Sequence, residues 1–93
     1  MGENFKINVP INFTVEEAAE FRSKINKLIE SGTIYFTFDF SECNFIDSTG
    51  LGTLVSIYKK CVEKGGNIQL RLLKPEVRNM FKLTRLDKVF DIE

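Results

Sequence analysis

Two kinds of hydrophobic periodicity alternate along this 93-residue chain, and their order limits the folds available to it. Apolar residues recur at every second position in three segments, which predicts β-strands at 5–13, 34–40 and 68–72. Helical spacing follows each of these strands, in residues 14–31, 47–65 and 75–84. A short final strand over residues 89–92 completes a βαβαβαβ order. Parallel strands joined by helical crossovers are the natural solution for this order, so we expect a small α/β domain.

The polarity of the strands predicts how the layers are arranged. Strands covered on both faces would be apolar throughout, but here apolar and more polar residues alternate. We therefore expect a sheet of about four mostly parallel strands with helices mainly on one face. Pro10 predicts that the first strand lies at an edge of the sheet or ends there. The opposite, open or lightly covered face would carry Lys6, Asn8, Tyr35, Thr37, Gln69 and Arg71.

Local signals predict the ends and buried faces of the helices. Thr14 and Glu17 have the spacing of a capping box at the start of the first helix. Pro75 suits the first turn of the third helix, where its missing N–H would be unpaired in any case. The predicted core stripe of the second helix consists of Leu51, Leu54, Val55, Tyr58 and Val62.

Composition excludes several classes of protein. The chain has 13 basic and 13 acidic residues and no histidine, so it lacks a Ser-His-Asp or Cys-His pair and any histidine-ligated metal. Its balanced charge argues against direct nucleic-acid binding. No apolar run reaches the roughly 18 residues of a membrane span. We expect one domain over residues 1–93, with no catalytic residues, no metal and no cofactor.

The two cysteines indicate a cellular compartment. Cys43 and Cys61 form no CxxC motif and are too few for a disulfide framework, so a reducing cytoplasm fits them best. The first residues also lack the apolar core of a signal peptide. Glu42 beside Cys43 would raise the pKa of that thiol, which favours a structural cysteine over a redox-active one. We predict a cytoplasmic protein.

Residues 47–52, Asp-Ser-Thr-Gly-Leu-Gly, place two glycines in the first turns of a helix, each costing on the order of 1 kcal/mol relative to alanine. Either the backbone packs too closely for a side chain, or it is bare so that a partner molecule can approach. Asp47 is the expected N-cap, which leaves the Ser48 hydroxyl pointing outward as a phosphate acceptor. Thr49 is the second candidate acceptor. Phe45 either packs under the preceding loop or belongs to an exposed docking surface.

Enzyme-like patterns are incomplete in the same segment. Gly50-Leu51-Gly52 matches the start of the GxGxxG nucleotide-binding pattern, but Val55 occupies the position of the third glycine. A small nucleotide-binding module is therefore kept only as an alternative. Ser48 has no histidine to activate it and no GxSxG context, so a serine hydrolase is not supported.

The stretches Phe38-Asp39-Phe40-Ser41 and Phe45 to Gly52 resemble the signature of STAS domains, the bacterial anti-sigma factor antagonists. Residues 77–90 are similar to the closing segment of that family, so the likeness covers nearly the whole chain. Two positions depart from it. Residues 11–14, Ile-Asn-Phe-Thr, stand where relatives carry an acidic Gly-Glu-Leu-Asp-like run, and Arg85 stands where a glycine is usual.

The resemblance implies a phosphorylation switch that regulates transcription indirectly. In the family, the unphosphorylated antagonist binds an anti-sigma factor that is also a serine kinase and so frees the sigma factor. Phosphorylation of the serine after the aspartate, here Ser48, ends the complex, and a PP2C-type phosphatase resets it. ATP and magnesium would belong to the kinase. The residues assigned to partner binding are Phe45, Asp47, Ser48, Thr49, Gly50, Leu51 and Gly52.

Two other functions stay open beside this one. The chain would alternatively be a STAS-type interaction subunit outside sigma-factor regulation, such as a scaffold or the partner of a membrane lipid transporter. The third alternative is the small nucleotide-binding module.

Overall fold

The computed structural model describes residues 4–93, which form six strands and three α-helices in the order strand, strand, helix, strand, strand, helix, strand, helix, strand. The strands are β1 (Phe5–Asn8), β2 (Asn12–Phe13), β3 (Tyr35–Asp39), β4 (Phe45–Ile46), β5 (Asn67–Arg71) and β6 (Asp91–Ile92). The helices are α1 (Val15–Glu30), α2 (Ser48–Glu63) and α3 (Pro75–Leu83), with a short 3-10 turn at Leu86–Lys88.

A four-stranded parallel sheet in the order β1-β3-β5-β6 forms the centre of the domain. Its apolar side chains, such as Phe36, Phe38 and Ile68, are fully buried in one core together with the inner faces of the helices. This arrangement confirms the predicted fold class. Polar side chains occupy the other face, where Thr37 and Asp39 on the central strand β3 are both only 7% exposed.

The first apolar segment is two strands rather than one. β1 ends before Pro10, which has no N–H to continue the ladder, and it lies at an edge of the main sheet, as predicted. The chain then enters β2, which pairs in parallel with β4 to make a separate two-stranded sheet. β4 was not predicted, because a two-residue strand is too short to show a period.

Two details of the helices differ from the predictions. Thr14 is the N-cap of α1, but its hydroxyl donates to the Glu17 carboxylate at 3.1 Å and does not cap a backbone N–H. On α2 the buried face includes Ile57 and Cys61, whereas Val62 is 46% exposed. The predicted stripe was wrong at Val62 because the buried face follows positions 54, 57 and 61 toward the end of the helix.

The end of the chain is more irregular than the predicted final strand. A 3-10 turn precedes the two-residue β6, and Arg85 before that turn has a φ of 62°. An L-residue with a Cβ is disfavoured in this left-handed conformation by about 1–2 kcal/mol, and glycine would adopt it without that cost.

We predict that Arg85→Gly raises the free energy of unfolding by about 0.5–1 kcal/mol, because removal of the Cβ relieves the left-handed strain and outweighs the added entropy of the unfolded chain. Chemical denaturation measures the change. Lys82→Gly is the control, since Lys82 is an exposed residue of α3 and glycine there should cost about 1 kcal/mol. A destabilised Arg85→Gly protein would contradict the strain argument.

Candidate functional site

The two-stranded sheet of β2 and β4 positions the start of α2. The carbonyl oxygen of Ile11 accepts hydrogen bonds from the N–H groups of Asn44 (2.8 Å) and Phe45 (3.3 Å). Phe13 and Ile46 are direct neighbours in this sheet, and both are buried against the core. The segment immediately before α2 is therefore fixed to the chain that precedes α1.

Asp47 is the N-cap of α2, as predicted. One of its carboxylate oxygens accepts the N–H of Gly50 at 3.0 Å, and its own N–H donates to the carbonyl of Phe13 at 3.5 Å. Ser48 and Thr49 are the first two residues of the helix, and both side chains are exposed. The capping thus uses the carboxylate of Asp47 and leaves both hydroxyl-bearing residues at the surface.

The two glycines of the motif have different environments. A Cβ at Gly50 would overlap the carbonyl oxygen of Phe13 and lie 2.9 Å from a side-chain carbon of Ile46. Gly52 is exposed, and a Cβ there would meet nothing within 4 Å. Close packing therefore accounts for Gly50 alone, and Gly52 leaves a bare stretch of helix at the surface.

An apolar groove of about 360 Å³ opens beside Ser48. One wall comes from β4 and the start of α2, and the other comes from the first turns of α3. Phe45 on the β4 side is 54% exposed and does not pack under the loop. The lining residues are Asn44, Phe45, Ile46, Asp47, Ser48, Glu76, Val77 and Met80.

The residues assigned to the site from sequence divide into two groups. Phe45, Ser48, Thr49 and Gly52 are exposed and Asp47 is half-buried, so these five share one surface region at the start of α2. Gly50 and Leu51 are buried, with Leu51 only 5% exposed. Gly50 packs against the carbonyl of Phe13 and Leu51 packs in the core, so both position the start of α2 and neither presents a side chain at the surface.

The α3 wall of the groove was missed from sequence. Val77 is buried in the core, and together with Met80 and Glu76 it also lines the groove. The available signal was topological: α3 follows a parallel strand, as α2 does through β4, so both helices begin near the carboxyl ends of the strands.

The loop that leads to the site is ordered by its own polar contacts. The Ser41 N–H donates to Asp39 at 2.8 Å, and hydrogen bonding by Ser41 lowers the pKa of that carboxyl. Lys6 pairs with the same carboxylate at 3.4 Å. Cys43 in this loop is fully buried, and burial raises the pKa of its thiol, as it raises that of Cys61 to about 11. Neither thiol is therefore an activated nucleophile.

Residues 4–93 match the model of the STAS domain family. This chain belongs to that family. A curated relative, the anti-sigma-B factor antagonist of Bacillus subtilis (strain 168), is 28% identical over 89 residues, which cover 96% of this chain and 81% of the relative.

Solved structures of three proteins have the same fold. The Thermotoga maritima protein TM1081 superposes with a TM-score of 0.86 at 24% identity, covering 99% of this chain and 81% of that one. An anti-sigma-factor antagonist (STAS) domain protein from Planctomyces limnophilus gives 0.81 at 18% identity, with 99% and 85% covered. The anti-sigma factor antagonist SpoIIAA in its unphosphorylated form gives 0.71 at 20% identity, with 90% and 86% covered.

Across residues 4–93, no helix combines the length and apolar character needed to cross a bilayer. The same residues contain no cluster of three or more histidine, cysteine or acidic side chains in an arrangement that could hold a metal ion.

The different surroundings of the two glycines predict opposite effects of the same substitution. Gly50→Ala should lower the free energy of unfolding by about 3 kcal/mol, the upper end for overpacking, because the added methyl meets backbone. Gly52→Ala should raise it by about 0.5–1 kcal/mol, because alanine is the better helix former and has open space there. Chemical denaturation of both variants provides the test. Equal effects of the two substitutions would contradict this division of roles.

Proposed function

We propose that this protein is an anti-sigma factor antagonist. In this proposal the surface around Ser48 binds an anti-sigma factor that is also a serine kinase, and phosphorylation of Ser48 ends the binding. The observation that carries the proposal is the presentation of Ser48: an exposed residue at the start of a helix held from below by Gly50, beside an open apolar groove. The names of the B. subtilis relative and of SpoIIAA, both anti-sigma factor antagonists, support it.

Ser48 acts as a substrate in this exchange, and the chain needs no catalytic group. The Ser48 oxygen attacks the γ-phosphorus of ATP held by the kinase and forms the new P–O bond. The bond from the γ-phosphorus to the bridging oxygen of ADP breaks, and the hydroxyl proton passes to a base on the kinase. A PP2C-type phosphatase then hydrolyses the ester and restores the hydroxyl. We also propose a cytoplasmic location, where ATP is available and unpaired cysteines such as Cys43 and Cys61 stay reduced.

The added charge has different consequences for the fold and for a docked partner. A phosphate at Ser48 brings about −1.5 to −2 charges to the N-terminus of α2, which the helix dipole stabilises. Within a partner interface, the same dianion would lose water against the apolar groove and lie near Asp47 and Glu76, two carboxylates that line it. The isolated protein should therefore tolerate the phosphate, and the complex should not.

We predict that Ser48→Ala abolishes phosphate transfer and keeps partner binding, whereas Ser48→Asp weakens binding by about tenfold or more through its negative charge. The test is incubation of the protein with ATP and each serine-kinase anti-sigma factor from its organism, followed by mass spectrometry and calorimetry. Thr49→Ala is the matched control and should be labelled as the wild type is. Full labelling of Ser48→Ala would move the acceptor to Thr49.

Binding measurements with other partners and with nucleotides alone separate this proposal from the alternatives. Tight binding to a transporter ATPase without phosphate transfer would favour an interaction subunit outside sigma-factor regulation. A specific feature keeps that candidate open: Asn12, in the run where relatives are acidic, is exposed directly beside Phe45 and carries no charge. Thermal stabilisation by ATP or GTP alone would favour a nucleotide-binding module.

Gly52 provides a second test, because it leaves the backbone of α2 open to close approach. We predict that Gly52→Gln weakens binding to the kinase by about tenfold, since a long side chain would stand between the helix and its partner. Lys59→Gln, seven residues further along the same exposed stripe, is the control and should bind normally. If Gly52→Gln binds as the wild type does, the partner does not approach this part of the helix.

A further inference from the structure

We propose that the partner-binding surface reaches across the carboxyl edge of the sheet to Leu72, and that Leu72 is one of its apolar contact residues. This inference rests on the proposed function, since its occupant is the same serine-kinase anti-sigma factor. It adds a residue that lies 24 positions after Ser48 and outside the Asp47–Gly52 motif.

Leu72 combines two unfavourable features. Its side chain is 57% exposed, and its backbone has a φ of 61°, in the left-handed region that favours glycine or asparagine. The next residue, Leu73, packs against the core, so the connection to α3 does not need Leu72 as an anchor. A glycine would make the same turn without strain and without exposing apolar surface. A leucine in this conformation therefore points to a contact outside the folded chain.

Leu72 shares its edge of the sheet with two other exposed apolar residues. Ile11, Phe45 and Leu72 follow β1, β3 and β5 respectively, and each is more than half exposed, at 54%, 54% and 57%. Because these strands are parallel, the three connections that follow them emerge at the same edge of the sheet. The start of α2, with Ser48, lies at this edge as well.

Hydrogen bonds join the three connections into one surface. The Asn44 N–H donates to the carbonyl of Ile11 at 2.8 Å, and the ammonium group of Lys74 bonds the side-chain oxygen of Asn44. At the base of the loops, the Phe40 N–H donates to the carbonyl of Arg71 at 2.9 Å. The Leu72 connection is thus held against the loop that carries Phe45, so a partner seated at Ser48 has Leu72 within the same face.

The charges around this face indicate the chemistry of the occupant. Glu16, Glu42 and Glu76 are exposed on the segments that carry or adjoin the apolar residues. The cations next to Leu72 already have partners, since the Lys74 ammonium group bonds Asn44 and Arg71 pairs with Glu93. A protein surface with an apolar centre and lysine or arginine at its rim would complement them. Charges at such a rim remain hydrated, so their attraction is weak. It does not outweigh the cost of burying a phosphate at Ser48, and the phosphorylated protein would still release the partner.

The test measures binding of the kinase that labels Ser48, in the presence of ADP so that no phosphate is transferred. Leu72→Gly should weaken binding by about tenfold or more while the melting temperature stays the same or rises. Leu72→Asn, which also accepts the left-handed backbone, should weaken it similarly and guards against a folding defect of the glycine variant. Added salt should slow association, and a rate independent of salt would contradict the cationic rim.

Two controls isolate the role of the leucine. Arg85→Gly relieves the same kind of strain on a different loop and should leave affinity within about twofold of the wild type. Leu83→Ala removes an exposed leucine from the far end of α3 and should also bind normally. Wild-type affinity of both Leu72 variants would overturn this inference alone. Failure of the unmodified wild type to bind any kinase would overturn the proposed function, and this inference with it.

Discussion

The carbonyl oxygen of Phe13 is the point on which the geometry of the site depends. It accepts the N–H of Asp47, and the bare Cα of Gly50 packs directly over it. A helix that carried any side chain at position 50 would have to move away from β2. The contact therefore fixes both the depth of α2 on the two-stranded sheet and its rotation. That rotation directs Leu51 and Leu54 into the core and leaves Ser48, Thr49 and Gly52 at the surface.

The direction of the strands brings the rest of the site to the same place. Each helix starts near the carboxyl edge of the parallel sheet, so the three helix dipoles have their positive ends there. The charged residues follow this polarity: α1 and α3 have glutamates in their first turns, and all three helices have a lysine in their last turn. In a chain with no net charge, the first turns of α1 and α3 are thus acidic and the last turns of all three helices are basic.

Periodicity predicted the central sheet and the helices because each of those elements is long enough to repeat its pattern. Residue type at a helix start, and not periodicity, predicted the Asp47 cap and the exposure of Ser48. β4 was not predicted, because Phe45 and Ile46 form too short a strand to show a period. Without the pairing of β4 to β2, the sequence does not reveal that the Phe13 carbonyl positions α2. The α3 wall of the groove was not predicted from sequence for a different reason. Val77 and Met80 have the spacing of core residues, and the tertiary arrangement alone decides that they also line an opening.

Of the four positions identified above as costing stability, Gly50, Gly52 and Leu72 lie toward the carboxyl edge of the sheet, and Arg85 lies on the loop after α3. Gly50 has a structural reason inside the domain, since nothing larger fits over Phe13. Gly52 and Leu72 have no such reason within their own surroundings, because both are exposed and a different residue would be more stable in each backbone conformation. Both lie on elements that meet at the carboxyl edge beside Ser48. Local sequence choices that oppose folding are expected where a protein contacts something other than itself, and the two positions support the proposed interface in different ways: one lacks a side chain, and the other exposes an apolar one.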